Sequence, residues 1–391
     1  MPLRFLTAGE SHGPSLTAIL DGMPAGLSLT PDLIDRELAR RQQGYGSGGR
    51  MKIEKDTVRV LGGVMAGETT GGPIALLVEN ADHVKWKGKP IEPMTAPRPG
   101  HADLTGAVKY GYRDLRPALE RASARETTMR VAAGAVCKHF LAQFGILVGG
   151  YVASIGEVQA DFGEMPYQQR FLRAEQSDVR CPVEEAASRM RAEIEKTIHG
   201  KNTLGGVLEI VALNLPVGLG SFVQWDKRLE ARLAMAVMSV QAIKGVEVGD
   251  AFENARRIGT EAHDPKHLDG QKTKVERLSN RAGGTEGGIS NGQPIILRAA
   301  MKPIATTLTP QQTVDLAAGE NAPTHYERSD FCPVPRAVPI LEAMVAFILA
   351  DALIEKLGGD SMNEMKPRFD SLRKATLNDL QMDNSLHLFW E

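Results

Sequence analysis

Cysteine is scarce in this sequence of 391 residues, which contains only Cys137, Cys181 and Cys332. The three cysteines are far apart and odd in number, and neither a CxxC motif nor a cysteine–histidine metal spacing accompanies them. These absences argue against a disulfide framework and against a metal centre, so we expect no metal ion. A reducing, cytoplasmic location is the simplest interpretation.

Long apolar runs are also missing. The N-terminus has neither the apolar region nor the small-residue cleavage site of a signal peptide. The most apolar stretch, residues 341–354, is interrupted by Glu342 and Asp351, so we expect no membrane-spanning segment.

An excess of charge of one sign is lacking as well, and aromatic residues are few. Lysine and arginine total 46 against 48 acidic residues, which leaves a formal charge of −2, and aromatics make up 5%. This balance excludes a strongly basic nucleic-acid-binding protein and an acidic disordered chain. The 42% of hydrophobic and 24% of charged residues are typical of a soluble enzyme that folds around its own core.

Local signals predict that strands, turns and helices follow one another in the same order twice. The first copy has a helix that begins at Thr30 and Pro31, which suit the N-cap and the first helical position. Its other segments are strands at 4–8, 16–20 and 75–78, turns at 23–27 and 71–74, and a long helix at 119–144. The second copy has strands at 208–215 and 296–298, turns at 216–219 and 292–295, and helices at 226–243 and 339–357.

This repeated order predicts an α/β (α+β) fold, and the length of 391 residues allows one large domain or two that share a core. We expect two pseudo-equivalent halves, roughly 1–150 and 200–360, related by a pseudo-twofold axis. The charged, amphipathic region at about 160–200 is expected to form a peripheral helical linker between them. A chance recurrence of strand–turn–helix order is the alternative, because the two copies share few identities.

Arg41 extends the apolar stripe of the first predicted helix. It lies three residues after Leu38 and seven after Ile34, so its guanidinium group should point toward the interior. The glycine-rich run at 44–49 lacks the Gly-Lys-Ser/Thr ending of a Walker loop and follows a helix instead of a strand. A substrate-contacting loop is therefore favoured over a nucleotide-binding fingerprint, and a plain helix-ending loop is the simple alternative.

Arg121 and Arg125 precede Met129 by eight and four residues and continue the apolar stripe of the long helix at 119–144. Both lie near the predicted N-terminus of that helix, where the helix dipole disfavours cations. A bound anion would reverse this effect, since helix amides and arginine together form a good phosphate or carboxylate site. The alternative is surface pairing with Glu120 and Glu126.

Two histidines lie in glycine turns, where loops carry side chains to functional sites. His12 follows the first strand, and His101 is flanked by Arg98 and by Asp103, which could orient its imidazole. Nearby guanidinium charge would favour neutral imidazole until an anionic ligand arrives, which suits general acid chemistry. A structural turn histidine bonded to the backbone is the alternative for each.

Taken together, the sequence motifs resemble those of the chorismate synthase family over nearly the whole chain. No single motif is specific, but their joint order and spacing are. The matching stretches are GESHG (9–13), RQQGYGSGGRMKIEKD (41–56), TTGGPIALLV (69–78), RPGHADL (98–104), ERASARETTMRVAAGAV (120–136), SVQAIKGVEVG (239–249), GGISNGQPI (287–295), MKPIAT (301–306) and ERSDFCPVP (327–335).

The resemblance implies a single domain over residues 1–391. This domain would be a β-α-β sandwich with helices between antiparallel sheets, assembled as a homotetramer. The implied reaction is an anti 1,4-elimination of phosphate from 5-enolpyruvylshikimate 3-phosphate that yields chorismate for aromatic amino acid biosynthesis. This reaction requires reduced FMN without net redox change. Some relatives reduce FMN with NADPH and others depend on an external flavin reductase, and the sequence does not distinguish the two.

The resemblance also implies roles for individual residues. His12 would protonate the departing phosphate, His101 would balance the charge of the reduced flavin, and Asp330 would assist proton removal. The implied substrate contacts are Ser11, Arg41, Ser47, Arg50, Arg98 and Arg125. The implied FMN contacts are Arg121, Ala122, Ser123, Gln241, Ala242, Gly287, Lys302, Pro303, Ile304, Ala305, Thr306 and Arg328.

Ser47 departs from the family pattern, because many relatives carry arginine there, and this puts one substrate contact in doubt. Two other functions compete with the resemblance. A flavin-free phosphoester hydrolase with His12 as nucleophile would release phosphate without FMN. An anion- or RNA-binding scaffold would bind nucleic acid with a steep salt dependence, but few aromatics interleave with the arginines.

Overall fold

The computed structural model describes residues 2–47, 55–327 and 329–390. Arg50 and Arg328 lie outside the described residues. The helices are α1 (Pro31–Gln42), α2 (Asp103–Tyr110), α3 (Arg116–Ala122), α4 (Thr127–Ala142), α5 (Tyr167–Gln176), α6 (Glu184–His199), α7 (Leu229–Met238), α8 (Ala251–Asn254), α9 (Gly259–Ala262), α10 (Val334–Leu357) and α11 (Met362–Asp370).

The strands include two larger sheets and several hairpins. They are β1 (Arg4–Ala8), β2 (Ser15–Asp21), β3 (Val58–Gly62), β4 (Val64–Met65), β5 (Glu68–Thr69), β6 (Ile74–Glu79), β7 (Leu147–Ile155), β8 (Val158–Gln159), β9 (Gly206–Leu213), β10 (Ile243–Val248), β11 (Lys266–Leu268), β12 (Val275–Arg277), β13 (Thr285–Glu286), β14 (Ile289–Ser290), β15 (Ile295–Met301), β16 (Gln312–Asp315) and β17 (Glu320–Pro323).

The architecture is a sandwich of helices between two antiparallel sheets, which confirms the predicted fold class. Helix α4 packs on β2 and β6 of the first sheet, and α10 packs on β7 and β9 of the second. The two helices also pack on each other, with α1 and α7 beside them. The main hydrophobic core fills the space between the sheets and takes residues from both.

The two sheets have the same strand order when their strands are matched along the chain. The order is β1-β2-β6-β3 in the first sheet and β7-β9-β15-β10 in the second, where β8 adds to the edge at β7. Gly63 and Gly284 mark the same close approach, since a Cβ there would clash with the carbonyl oxygen of Pro73 and of Pro294, respectively. This agreement supports the proposal of two pseudo-equivalent halves.

The boundary between those halves differs from the prediction. Strand β7 already belongs to the second sheet although it begins at Leu147. The segment at 160–200, expected to link the halves, instead connects β7 to its neighbour β9 and contributes α5 and α6. It is therefore an insertion within the second half.

The long helix predicted at 119–144 is broken at Ser123. This residue is extended (φ −60°, ψ 141°), and its Oγ accepts a hydrogen bond from the backbone N–H of Arg125. The chain therefore forms α3, a short 3-10 turn at Ala124–Glu126 and α4. Serine side chains compete with helical hydrogen bonding in this way, so the apolar period alone does not predict the break.

Helix α10 is long and apolar enough to cross a membrane by length and composition, but 89% of its apolar window is buried inside the sandwich. Its single fully buried carboxylate, Glu342, faces α1 and α4. Arg40 Nη1 lies 2.6 Å and Lys138 Nζ 2.7 Å from Glu342 Oε2, and Glu37 contacts both cations. The helix layer thus contains a compensated ionic cluster in place of a purely apolar contact.

This cluster predicts that acid destabilises the fold. Burial alone would raise the pKa of Glu342, but the charges and hydrogen bonds of Arg40 and Lys138 outweigh it and lower the pKa to about 2. Because the pKa of glutamate in the unfolded state is about 4.3, the stabilisation that ionised Glu342 contributes is complete above that pH. It is lost as the pH falls toward 2. We expect Glu342→Gln to lower the free energy of unfolding by about 3 kcal/mol at neutral pH. The stability of this variant should also fall less steeply as the pH decreases.

Urea unfolding midpoints measured from pH 3 to 7 test this prediction. Glu355→Gln is the matched control, because this carboxylate on the same helix is 53% exposed where it pairs with Lys227 and should contribute about 1 kcal/mol or less. A Glu342 variant as stable as the control would show that the cluster contributes nothing.

Candidate functional site

A cavity of about 420 Å³ opens where the turn after β1 meets loops from the second half of the chain. Its volume lies within the range of roughly 300–1,000 Å³ that is usual for small-molecule sites. It brings together most of the predicted site residues. Those that line it are Ser11, His12, Arg41, Arg98, His101, Ala122, Ser123, Arg125, Gln241, Ala242, Lys302, Ile304, Ala305, Thr306 and Asp330.

His12 is held on three sides. Its Nδ1 lies 2.7 Å from Glu120 Oε1, and its backbone N–H donates to Glu120 Oε2 at 2.8 Å. The ring of Trp86 stacks on the imidazole with a centroid separation of 4.2 Å, and His83 Nδ1 lies 2.9 Å from the His12 carbonyl oxygen. Glu120 and Trp86 therefore fix the orientation of His12 at the cavity wall.

His101 belongs to a second cluster, built on a fully buried carboxylate. Asp103 Oδ1 lies 2.6 Å from His101 Nδ1, and the Arg98 guanidinium donates to both oxygens of Asp103 at 2.8 and 2.9 Å. Burial raises the pKa of Asp103, but the hydrogen bonds from His101 and Arg98 outweigh it and hold that pKa well below its ordinary value. Arg98 also donates to Thr306 Oγ1 at 3.3 Å, which joins the two halves across the cavity.

Arg41 and Arg125 share one buried carboxylate. Arg125 Nη1 lies 2.6 Å from Asp56 Oδ1, and Arg41 Nη1 lies 3.5 Å from Asp56 Oδ2. Arg125 Nε also donates to Asn80 Oδ1 at 2.8 Å. Burial, together with the nearby guanidinium groups of Arg336 and Arg125, lowers the pKa of Arg41. Positive charge is thus crowded at this wall, which favours an anionic ligand.

Asp330 enters the cavity from the segment before α10. It forms an ion pair with Arg336, whose Nε donates to the backbone carbonyl oxygen of Arg41 at 3.2 Å. The carboxylate predicted to assist proton removal therefore lies beside the arginine wall and on the same side of the cavity as Arg41.

The 302–306 segment and residues 241–242 form another part of the cavity wall. The Lys302 N–H donates to the Ala242 carbonyl oxygen at 2.9 Å, and Lys302 Nζ donates to the Gly100 carbonyl oxygen at 3.1 Å. Ala242 adopts φ 68°, a left-handed conformation that is unusual for a residue with a Cβ. Gln241 has a buried Oε1 without a hydrogen-bond partner among the described residues.

Four predicted residues do not line the cavity. Arg121 is exposed in the last turn of α3 and donates to the Thr7 carbonyl oxygen at 2.9 Å. The expectation that it points inward was wrong, because the break at Ser123 removes Arg121 from the face it would share with Arg125 in a continuous helix. Gly287 is exposed between β13 and β14, Pro303 is exposed within its segment, and Ser47 donates to the Gly44 carbonyl oxygen.

The predicted contacts Arg50 and Arg328 lie outside the described residues. Within residues 2–47, 55–327 and 329–390, no group of three or more histidine, cysteine, aspartate or glutamate side chains is arranged to hold a metal ion.

Comparison with known proteins gives the same assignment over almost the full length. The sequence profile of the chorismate synthase family matches residues 3–354. The chain belongs to the chorismate synthase family. It is 51% identical to the chorismate synthase of Trichlorobacter lovleyi over 384 residues, covering 94% of this chain and 98% of that protein. The chorismate synthase of Aquifex aeolicus is 52% identical over 385 residues, covering 94% of this chain and 96% of that protein.

A solved chorismate synthase also has this fold. The crystal structure of a chorismate synthase superimposes with a TM-score of 0.78 at 45% identity and covers 95% of this chain and 97% of that chain. The sandwich described above is therefore the chorismate synthase fold, and the predicted family membership is confirmed.

Several residues that line this cavity of the chorismate synthase family member, or support the side chains that do, were not found by sequence reasoning. In the sequence, Glu120 and Arg336 look like ordinary charged residues. Trp86 lies in a loop whose sequence shows no recognisable motif. Asp56 is buried beneath two arginines. The sequence indicates Glu120 only as a surface partner for arginine, whereas it pairs with His12. A signal for Asp56 was available, since inward arginines in a nearly neutral chain require buried carboxylates.

Proposed function

We propose that this chain converts 5-enolpyruvylshikimate 3-phosphate to chorismate and phosphate by anti 1,4-elimination, in the pathway to aromatic amino acids. The observation that carries the proposal is the convergence of two imidazoles and the buried guanidinium groups of Arg41, Arg98 and Arg125 on one cavity. The substrate bears a phosphate and two carboxylates, which is the charge that such a wall recognises. The enzyme is accordingly a carbon–oxygen lyase that acts on a phosphate.

The residues present fit FMN as the cofactor. The buried Oε1 of Gln241 offers an acceptor to a ligand N–H group, and it lines the cavity beside Ala242. Lys302, Thr306 and Ser123 add donors around the same space. These residues, with Ala122, Ile304 and Ala305, would hold FMN, whereas Pro303 remains a predicted contact that does not line this cavity. Reduced FMN supplies electron density to the substrate as phosphate leaves.

Each side chain of the cavity has a proposed task. His12 holds a proton at Nε2 for the departing phosphate, because its Nδ1 is engaged by Glu120. His101 lies beside the cofactor region with its Nδ1 on Asp103, and Asp330, with Ser11, assists removal of the ring proton. Arg41, Arg98 and Arg125 orient the substrate anions. We keep Arg50, Arg328, Arg121, Gly287 and Ser47 as predicted contacts whose position at this cavity is not supported by the described residues.

Anaerobic incubation of the purified chain with the substrate and dithionite-reduced FMN tests the function, and no reductase is needed. We expect chorismate absorbance to rise in step with released phosphate, and neither to change with oxidised FMN. Phosphate release without FMN and without chorismate would instead identify a phosphoester hydrolase.

We also propose that the chain forms a homotetramer in which the outer face of the first sheet is an interface. Leu6 and Ile19 are register partners on this face and are 76% and 43% exposed, and Leu61 is exposed on β3. The corresponding face of the second sheet, with Tyr151 and Val211, is buried beneath α5. An uncovered apolar sheet face in a chain whose other sheet is covered favours a second copy as its partner.

Ile19→Glu should therefore reduce the mass of the assembly measured by light scattering from four chains to fewer, because it places a carboxylate in an apolar contact. Leu172→Glu, the same change at an exposed position of α5, should leave the assembly intact. A tetramer that survives Ile19→Glu would exclude this face as an interface.

A cytoplasmic location is also part of the proposal, on the ground that all three cysteines are free, buried thiols.

A further inference from the structure

Glu120 makes two contacts with a single residue. Its Oε1 lies 2.7 Å from His12 Nδ1, and its Oε2 accepts the His12 backbone N–H at 2.8 Å. Both carboxylate oxygens are thus used, one for the ring and one for the turn that carries it. Glu120 is anchored on α3, while His12 lies in the loop between β1 and β2. A rigid element therefore fixes both the position of the loop and the orientation of the imidazole.

The chemistry of the pair determines which histidine nitrogen carries hydrogen. An ionised carboxylate only accepts hydrogen bonds, so Nδ1 must hold a hydrogen, and Nε2 is left to gain or give a proton. Burial raises the pKa of Glu120, but the hydrogen bonds and charge of His12 outweigh it and keep that pKa below the ordinary value. Glu120 is therefore ionised at neutral pH and accepts a hydrogen bond from Nδ1 of His12.

Other groups also face His12, and they are needed to interpret its titration. Trp86 stacks on the ring at 4.2 Å, and Arg116 from α3 lies over Trp86 at 5.9 Å. His83, in the short helix Ala81–Lys85, contacts the His12 carbonyl oxygen. Glu10 belongs to the same turn and is exposed. Among these, Glu120 is the carboxylate in contact with the ring.

We propose that Glu120 is a positioning residue for His12, and that it sets the tautomer and proton affinity with which Nε2 serves the leaving phosphate. This inference rests on the proposed function. Glu120 does not line the cavity, so it acts through His12 instead of through the substrate. Its effect must therefore appear in the titration of His12 even when no ligand is bound.

Trp86 provides a direct readout of that titration, since a protonated imidazole stacked on an indole quenches its fluorescence. Trp225 and Trp390 are 81% and 90% exposed, so phenylalanine replaces both without loss of packing and leaves Trp86 as the only tryptophan. In this background, fluorescence should rise with pH at the midpoint of His12, and His12→Ala should abolish that step. Glu120→Gln should move the midpoint down, because an anion beside the ring is lost.

Turnover gives the second measurement. With reduced FMN and substrate, Glu120→Gln should lower kcat about 10- to 100-fold at neutral pH, the usual effect of losing such an orienting group. The alkaline limb of the pH profile should shift down with the fluorescence midpoint, and KM should change little. Glu120→Asp retains the charge and should restore part of both effects. Glu79→Gln, at an exposed carboxylate that pairs with Arg59, is the control and should match the parent chain.

The inference is overturned if Glu120→Gln, or Glu120→Ala should the first variant not fold, leaves the fluorescence midpoint and the pH profile of the parent chain unchanged. Absence of chorismate formation by the parent chain would instead contradict the proposed function, and the fluorescence titration would still decide the role of Glu120.

Discussion

Replacing His12 by alanine is expected to lower kcat by about 100- to 10,000-fold, the usual contribution of a general acid. The reason is that phosphate leaves as a basic anion unless a proton reaches it in the transition state, and in the proposed function His12 Nε2 supplies that proton. Single-turnover formation of chorismate with reduced FMN measures the effect on the chemical step. FMN affinity and the circular dichroism spectrum should remain unchanged, because His12 lies on a turn outside the core.

His267→Ala is the control for this experiment, since His267 is a partly exposed histidine on β11 that pairs only loosely with Glu276 at 3.7 Å. It should turn over at the rate of the unaltered chain. Near-normal turnover of the His12 variant would remove His12 from the mechanism and would leave proton delivery to His101 or to solvent.

Local segments of the fold could be predicted from the sequence because their signals are local. Strand β1 occupies the predicted residues, Arg4–Ala8, and α1 begins at Pro31 as expected. Thr30 is extended as an N-cap residue should be, although its side chain makes no capping hydrogen bond. Proline geometry and apolar period are sufficient for such elements, since neither depends on distant residues.

The break between α3 and α4 could not be predicted in this way. The apolar period continues across Ser123, and only the hydrogen bond from the Arg125 N–H to the serine side chain reveals the interruption. This one error changed the expected direction of Arg121, because residues four apart share a face only in an unbroken helix. Arg125, on the far side of the break, is buried as predicted.

Most of the residues that the resemblance predicts line the cavity, whereas the residues that support them cannot be predicted from the sequence. His12 and His101 lie in turns with recognisable sequence, whereas Glu120 and Asp56 acquire their roles only when distant segments meet. A carboxylate that pairs with a histidine more than a hundred residues away leaves no periodic signal. The composition does imply that such carboxylates exist, since a nearly neutral chain with inward arginines must compensate them.

Arg125→Ala is the second change with a large expected effect, on substrate affinity. Arg125 is 4% exposed and lines the cavity, so its contact with a substrate anion would be made away from water. Truncating one partner of such a buried pair costs about 2–5 kcal/mol, or roughly 30- to several-thousand-fold in Kd. Substrate titration of the FMN-loaded enzyme measures this, and Arg125→Lys should recover part of the affinity because it keeps the charge but loses the planar fork.

Arg125 also has a structural contact, and the experiment separates its role in stability from its role in substrate binding. Arg125 neutralises Asp56, so its removal leaves that carboxylate with Arg41 at 3.5 Å and lowers stability in either case. Affinity distinguishes them, since a purely structural arginine would change the unfolding midpoint and leave Kd within twofold. Arg59→Ala, which breaks an exposed pair with Glu79, should change neither quantity appreciably. If the folded Arg125 variant loses much of its substrate affinity and the Arg59 variant does not, the buried guanidinium group binds the substrate.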